Sequence, residues 1–231
     1  MKNLLFILFA TLILGGCVSH PLTPEHRAQI KTVKVLPVKW ESQQMVYMGR
    51  EQAWGAALGA GLGAGVGMAS GASRLGTAAL SGAGFAGGMK LGQLAEMPTP
   101  VAILTVMDAE KIDLGVLLKQ GFIDALGKTS TLKVVGDDEP ADAQIQLTVA
   151  EWGFRLTQGF SSVVYPTLNV LAQMNRGDEM VWRTSEAVTP FNGQNVYGYT
   201  PLTYRTDPEA LRRALTGITQ ISSGYLVKEL K

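Results

Sequence analysis

The sequence predicts an α+β fold: an antiparallel or mixed sheet with two packed helices, plus an inserted glycine-zipper helical hairpin. Three observations predict it. Period-two alternation over residues 30–38, 143–154, 162–174 and 180–188 reads as strands. Apolar spacing of 3.6 residues over 114–126, and again after Asp207, reads as helices. Between residues 53 and 92, glycine recurs in a four-residue register. The chain has 231 residues, 17% of them charged, and a formal net charge of +1. No basic surplus exists to neutralise phosphates, so nucleic acid is not an expected partner.

Taken in order, residues 1–16 carry Lys2 and then an apolar run over 4–14, too short to cross a bilayer as a helix. The run ends in Leu14-Gly15-Gly16-Cys17, and Cys17 is the only cysteine. Residues 17–29 are polar and proline-containing and read as a tether, reaching roughly 40 Å if extended at about 3.3 Å per residue. Residues 30–52 and 93–231 form the expected α+β domain, with 53–92 inserted between them. Pro98 and Pro100 punctuate, and 101–106 (VAILTV) reads as a buried strand. Asp113 is a candidate N-cap for the helix over 114–126, which places Leu114, Leu117, Leu118, Gly121, Phe122 and Ala125 on one face; Gly127 is expected to stop it. Residues 132–135 read as a short strand and the following DDEPAD as a turn. The strands over 162–174 and 180–188 form a hairpin around Asn175-Arg176-Gly177-Asp178, and 190–206 is a long loop. Asp207-Pro208 then supplies an N-cap and a first-turn proline for a last helix, with an apolar stripe of Leu211, Leu215, Ile218, Tyr225 and Leu226.

The insert raises its own question. Gly55, Gly59, Gly63, Gly67 and Gly71 recur every four residues, and Gly76, Gly84, Gly88 and Gly92 keep that spacing with Leu80 in the gap. On a helix this puts the glycines on one face, where backbones can approach closely. In water each glycine costs about 1 kcal/mol relative to alanine; in a bilayer an unsatisfied backbone costs more, which favours the helix. Residues 53–73 are uncharged, roughly 31 Å as a helix, and Arg74 is the expected tip; 75–89 are uncharged over roughly 22 Å. Arg50, Trp54 and Lys90 would then share one interface. Three readings stand: a membrane-inserted or membrane-associated hairpin, a hairpin packed within an oligomer, and a disordered linker. The GAGFAG of residues 82–87 matches a dinucleotide fingerprint only by composition, since no strand precedes it, and no nucleotide is expected.

The opening MKNLLFILFATLILGGC resembles a bacterial lipoprotein signal with its lipobox. The resemblance implies cleavage before Cys17, a diacylglyceryl thioether on its sulfur and acylation of the new amino group; the alternative is an ordinary secretory signal that happens to end near a cysteine. Three acyl chains anchor firmly, each buried methylene contributing roughly 0.8 kcal/mol. Val18, where aspartate is associated with inner-membrane retention, implies the outer membrane, with the main domain facing the periplasm. Lipobox, α+β domain and glycine-zipper insert together resemble the glycine-zipper outer-membrane lipoproteins, of which the TraT-type surface exclusion lipoproteins are one kind. That likeness implies a non-enzymatic protein that self-associates or inserts through the hairpin. The strands after Leu132 resemble the small αβ domains of periplasmic lipoproteins, including the curli-secretion type.

Residues for catalysis are sparse. His20 and His26 are the only histidines and both lie in the tether, so neither a Ser-His-Asp arrangement nor a histidine-based metal site is expected. Asp137, Asp138, Glu139 and Asp142 read as a solvated turn, with a hard-cation site as the alternative. No cofactor or metal is expected. Phe191, Tyr197, Tyr199, Tyr204 and Arg205 lie in the long loop; they read first as a cover over the end of the sheet, and otherwise as a contact surface for a protein or glycan. Trp40, Trp152 and Trp182 are expected in core or sheet-edge packing. The expected role is structural or assembly work in the cell envelope, with membrane lipid and either further copies of the chain or another envelope protein as partners. The alternative is an accessory lipoprotein of a transport or secretion system that binds through the aromatic loop.

Overall fold

The computed structural model describes residues 19–49, 97–157 and 162–231. In these residues the fold is α+β, a seven-stranded mixed sheet with helices against one face. The long strand β5 (Ala143–Arg155) pairs antiparallel with β6 (Tyr165–Arg176), and β6 with β7 (Glu179–Val188). Along its other edge β5 carries three short parallel strands: β1 (Thr32–Val35), β2 (Lys39–Trp40) and β3 (Val46–Met48). They meet β5 at Ala143–Ile145, Thr148–Val149 and Gly153–Arg155 in turn, so residues 32–48 act as one strand broken twice. β4 (Lys133–Val134) closes the sheet beyond β1.

Two local constraints hold this edge. At Gly153, with φ +157°, an added Cβ would lie 1.7 Å from the Val46 carbonyl oxygen, so only glycine lets β3 reach β5. At the opposite end, Asp142 Oδ2 accepts from the backbone N–H groups of Lys31 and Thr32, both at 2.8 Å, and from the Thr32 hydroxyl at 2.9 Å. These donors, the Lys31 N–H first, hold the Asp142 carboxyl below the usual carboxylate range. The DDEPAD stretch is a turn, as the sequence predicts, and this carboxylate latches it to β1.

A bulge in β5 between Val149 and Glu151 resets which side chains face the helices. Ile145, Leu147 and Val149 point inward before it, and Trp152 and Phe154 after it; Glu151 and Arg155 are thereby turned to the outer face. The β6–β7 hairpin turns on Gly177 and Asp178, with positive φ at Gly177 alone, the requirement of a II′ turn.

Helix α3 (Leu114–Thr129) starts on Asp113, whose Oδ1 accepts from Val116 N at 3.0 Å, and buries Leu114, Leu118, Phe122 and Leu126. It packs on α5 (Pro208–Leu226), where Gly121 lies against the Thr219 backbone and Ser223. Gly127 does not stop α3: its φ is not positive, and the helix runs on to Thr129 with Ser130 as C-cap. α5 begins at Asp207 as the sequence predicts, with Oδ1 accepting from Ala210 N at 3.0 Å, and buries Leu211, Leu215, Ile218 and Leu226.

Three further expectations need correction. Residues 101–106 are helical, within α2 (Thr99–Ala109). Seven of its eleven residues are buried, and five of them, Thr99, Ala102, Ile103, Val106 and Met107, recur at three- and four-residue spacing, so packing on most sides outweighs the β-branched composition. The loop of 190–206 contains a helix, α4 (Pro201–Thr206), capped by Thr200 through a bond from Thr203 N. The described part of the tether is not free. His20 makes an antiparallel bridge to Arg183 of β7, Leu22 is buried in the core, and α1 (Pro24–Gln29) starts on Thr23 with Pro24 in its first turn. The Arg27 guanidinium donates to the carbonyl oxygens of Glu229 and Lys231, tying α1 to the C-terminus.

Gly153→Ala is expected to lower stability by about 2–4 kcal/mol in urea unfolding, with amide exchange accelerating at residues 46–48. For Asp142, a depressed folded pKa means its contribution is present above the unfolded value and is lost as pH falls through the folded one. The thermal midpoint of the protein should therefore exceed that of Asp142→Asn at neutral pH. The gap should close as pH falls below the ordinary aspartate range and through the lowered folded value.

Candidate functional site

The strand directions divide the sheet into two ends. One end holds the C-termini of β5 and β7 and the start of β6; the long loop covers it, and we refer to it as the loop end. The other holds the β6–β7 turn and the turn before β5, the turn end. Charge follows this division. Asp137, Asp138, Glu139, Asp142, Asp178 and Glu179 lie at the turn end among Lys31, Lys34, Lys119, Lys133 and Arg176, whereas residues 190–206 carry a single charge, Arg205.

The bulge in β5 builds a groove on the outer sheet face at the loop end. Its floor has Glu151 and Arg155, which bond at 2.6 Å, with Thr167 and Asn169 of β6. Met48, Leu156, Pro190 and Phe191 form its walls around a volume of about 500 Å³. The pair is half-exposed, and each charge is already answered by the other. A second depression, at Trp40, Lys111, Asp113 and Trp152, lies on the helix side; Trp40 and Trp152 meet edge to face there, 6.4 Å apart. Trp152 and Trp182 are core residues, as the sequence predicts.

The aromatic loop is held from within. Tyr204 is fully buried, its ring 4.6 Å from Phe154 and 5.5 Å from Tyr199, and its hydroxyl donates to the Tyr197 carbonyl. Burial pushes the Tyr204 phenol well above its ordinary pKa, so it stays a donor at any physiological pH. Tyr199 bridges Val164, and Tyr197 packs on α5 where an added Cβ at Gly217 would lie 2.0 Å from its ring. The Asn195 side chain donates to the carbonyls of Pro166 and Thr189. Of the five loop residues singled out in the sequence, Tyr197, Tyr199 and Tyr204 therefore serve to cover the sheet. Arg205 donates to the Met97 carbonyl at 2.6 Å, and Phe191 alone is mostly exposed, at 77%.

Sequence reasoning missed three other exposed apolar residues at this end. Met48, Val196 and Leu202 are 51%, 73% and 55% exposed, and all lie at the loop end. The available signal was the presence of large apolar residues in stretches read as loop or left unassigned. The histidines lie away from the groove: His20 on the β7 edge, and His26 Nε2 3.5 Å from the Glu179 carboxylate. Among the described residues no group of three or more His, Cys, Asp or Glu is placed to hold a metal ion, and no helix is long and apolar enough to cross a membrane. Cys17 and all nine zipper glycines, Gly55 through Gly92, lie outside the described residues, as does the GAGFAG stretch.

The points at which the described chain stops also belong to the loop end. Met48 pairs with Arg155, and its carbonyl accepts from Leu156 N; Met97 is held by Arg205, next to Tyr204, which packs on Phe154. Both flanks of 50–96 thus lie near the end of β5, the first paired with it directly and the second linked to it through Arg205 and Tyr204.

No protein-family model matches the chain, and no curated protein matches it. Among solved structures it is similar to a variant PelC dodecamer from Paraburkholderia phytofirmans, at 10% identity over 92% of each chain with a TM-score of 0.40. A DUF330 protein from Xanthomonas campestris shares 14% identity over 50% of this chain and 61% of its own, with a TM-score of 0.32. A Caulobacter crescentus protein assigned as a lipoprotein shares 19% identity over 50% of this chain and 85% of its own, with a TM-score of 0.24.

The packing of Tyr197 gives a test with a definite sign. On helix propensity alone Gly217→Ala would stabilise α5 by about 1 kcal/mol. Eviction of the Tyr197 ring should reverse this, lowering the melting temperature and opening residues 190–200 to limited proteolysis.

Proposed function

We propose that this protein is a lipid-anchored component of a bacterial cell envelope with a structural or assembly role, acting through its surfaces and without catalysis. Cys17 would carry the acyl chains, the domain would face the periplasm from the outer membrane, and the glycine zipper would insert in lipid or join copies of the chain. One observation carries the reading. Met48, ahead of residues 50–96, pairs with Arg155 of β5, and Met97, after them, is held by Arg205 beside Tyr204, whose ring packs on Phe154, so both flanks lie at one end of the sheet, as a projecting hairpin needs. The signal-like N-terminus and the four-residue glycine register supply the rest.

Membrane fractionation tests the anchor and the zipper separately. Cys17→Ser, behind a secretory signal without a lipobox, should lose acylation. If the hairpin inserts, the variant stays with membranes through carbonate and high salt. If the hairpin only joins copies, the variant is released as a soluble oligomer. Gly63→Leu or Gly67→Leu should break insertion or assembly while leaving the unfolding transition of the domain unchanged. Release of the variant as a soluble monomer, with the leucine substitutions silent, would remove the zipper from the reading.

A further inference from the structure

We propose that the loop end is a membrane-seating face, with Met48, Phe191, Val196 and Leu202 entering the headgroup–acyl boundary of the bilayer to which the chain is anchored. The proposal rests on the lipid-anchor reading and adds to it an orientation and a set of lipid-contacting side chains.

Four observations carry it, beginning with the distribution of exposed apolar side chains. Six large ones are more than one-third exposed among the described residues, and four of them are Met48, Phe191, Val196 and Leu202, at one end of the sheet. The other two, Val116 and Met180, lie apart, at the start of α3 and at the turn end of β7. Apolar side chains concentrated at one end, each on a loop, a short helix or a short strand, suit shallow insertion.

Charge points the same way. The turn end mixes both signs, its six carboxylates interleaved with Lys31, Lys34, Lys119, Lys133 and Arg176, and stays hydrated, whereas the loop-end segment 190–206 has Arg205 as its single charge and no acidic residue to bring against anionic headgroups.

The third observation is the N-terminal path. His20 N donates to Arg183 O at 2.7 Å and Arg183 N donates to His20 O at 2.8 Å in an antiparallel bridge. Going back along the chain from His20 therefore leads towards Val188 and the loop end. Only two residues, Val18 and Ser19, lie between Cys17 and His20, a contour of about 10 Å at most. An anchor on so short a lead holds the domain against the bilayer, and it pulls from the loop-end side of Arg183.

The last observation is rigidity. The loop that presents Phe191 and Val196 is fixed from below by the Asn195 bonds, the Tyr199–Val164 bridge and the ring of Tyr197 on Gly217. Apolar side chains on a fixed base lose little further freedom on entering lipid.

The test is a labelling scan on the full, acylated chain reconstituted in phosphatidylethanolamine–phosphatidylglycerol vesicles. Met48→Cys, Phe191→Cys, Val196→Cys and Leu202→Cys would each carry an environment-sensitive fluorophore, with Val116→Cys and Met180→Cys as controls. All six positions are at the surface, so the fold should tolerate them, and an acylated Cys17 takes no label. The four loop-end labels should shift to the blue and be quenched several-fold more by lipids bearing a nitroxide on the acyl chain than by a water-soluble quencher. The controls should show the reverse. If vesicles float with the protein but all four labels respond only to the aqueous quencher, the seating face is wrong and the anchor stands. Blue-shifted labels that neither quencher reaches would mean that a second copy covers this end, which also overturns the proposal. Labelling of the chain with no added cysteine, together with failure to float, would overturn the anchor and the seating face together.

Discussion

The close approach of Val46 to Gly153 is the contact on which the rest of the arrangement hangs. β5 holds an antiparallel partner along one edge and must hold a broken parallel strand along the other. The first two pieces of that strand pair by ordinary register, but the third reaches β5 only because residue 153 has no side chain. Once β3 is seated, Tyr47 lies opposite Phe154 and Tyr204 packs on the Phe154 ring, and Arg205 then holds Met97. One missing methyl group thus fixes the point where the chain leaves β3 for the glycine-rich stretch, beside the end of β5 on which Tyr204 packs.

How much of this could be read from the sequence depended on whether the signal was local. Strand alternation in β5, β6 and β7 and the Asp113 and Asp207 caps were legible because each is written within a few residues. The same cap-then-proline signal occurs at Thr23-Pro24 and Thr200-Pro201, and both start helices; the surrounding polar composition obscured them. Residues 101–106 went the other way, because a β-branched run fits a strand or a buried helix equally until its packing partners are known. The groove was not legible at all. It exists because a bulge in β5 turns Glu151 and Arg155 to the same outer face, and no residue at 149–151 announces a bulge. The packing of Tyr197, Tyr199 and Tyr204 depends on contacts with Gly217, Val164 and Phe154, each distant in sequence from its partner.

Tyr197 also explains a glycine that looks misplaced. In the middle of a 19-residue helix, Gly217 weakens α5 locally. It leaves a flat patch of backbone on which an aromatic ring can lie, and the ring brings the long loop down onto the helix. A long connection between β7 and α5 becomes a fixed surface, shaped by packing from beneath.

The docking of residues 20–29 has a mechanical consequence. A pull on the chain ahead of His20 reaches the body of the protein first through the two hydrogen bonds to Arg183, then through Leu22 in the core, and then through α1 and the Arg27 bonds to the C-terminus. These attachments lie in series and differ in kind: an edge pairing that peels, an apolar plug that must be extracted into water, and a charged clasp. A steady tug there would lengthen the chain in steps, each with its own threshold, before the strands of the sheet parted. The segment from His20 to Gln29 would act as a graded strain relief between the preceding residues and the fold.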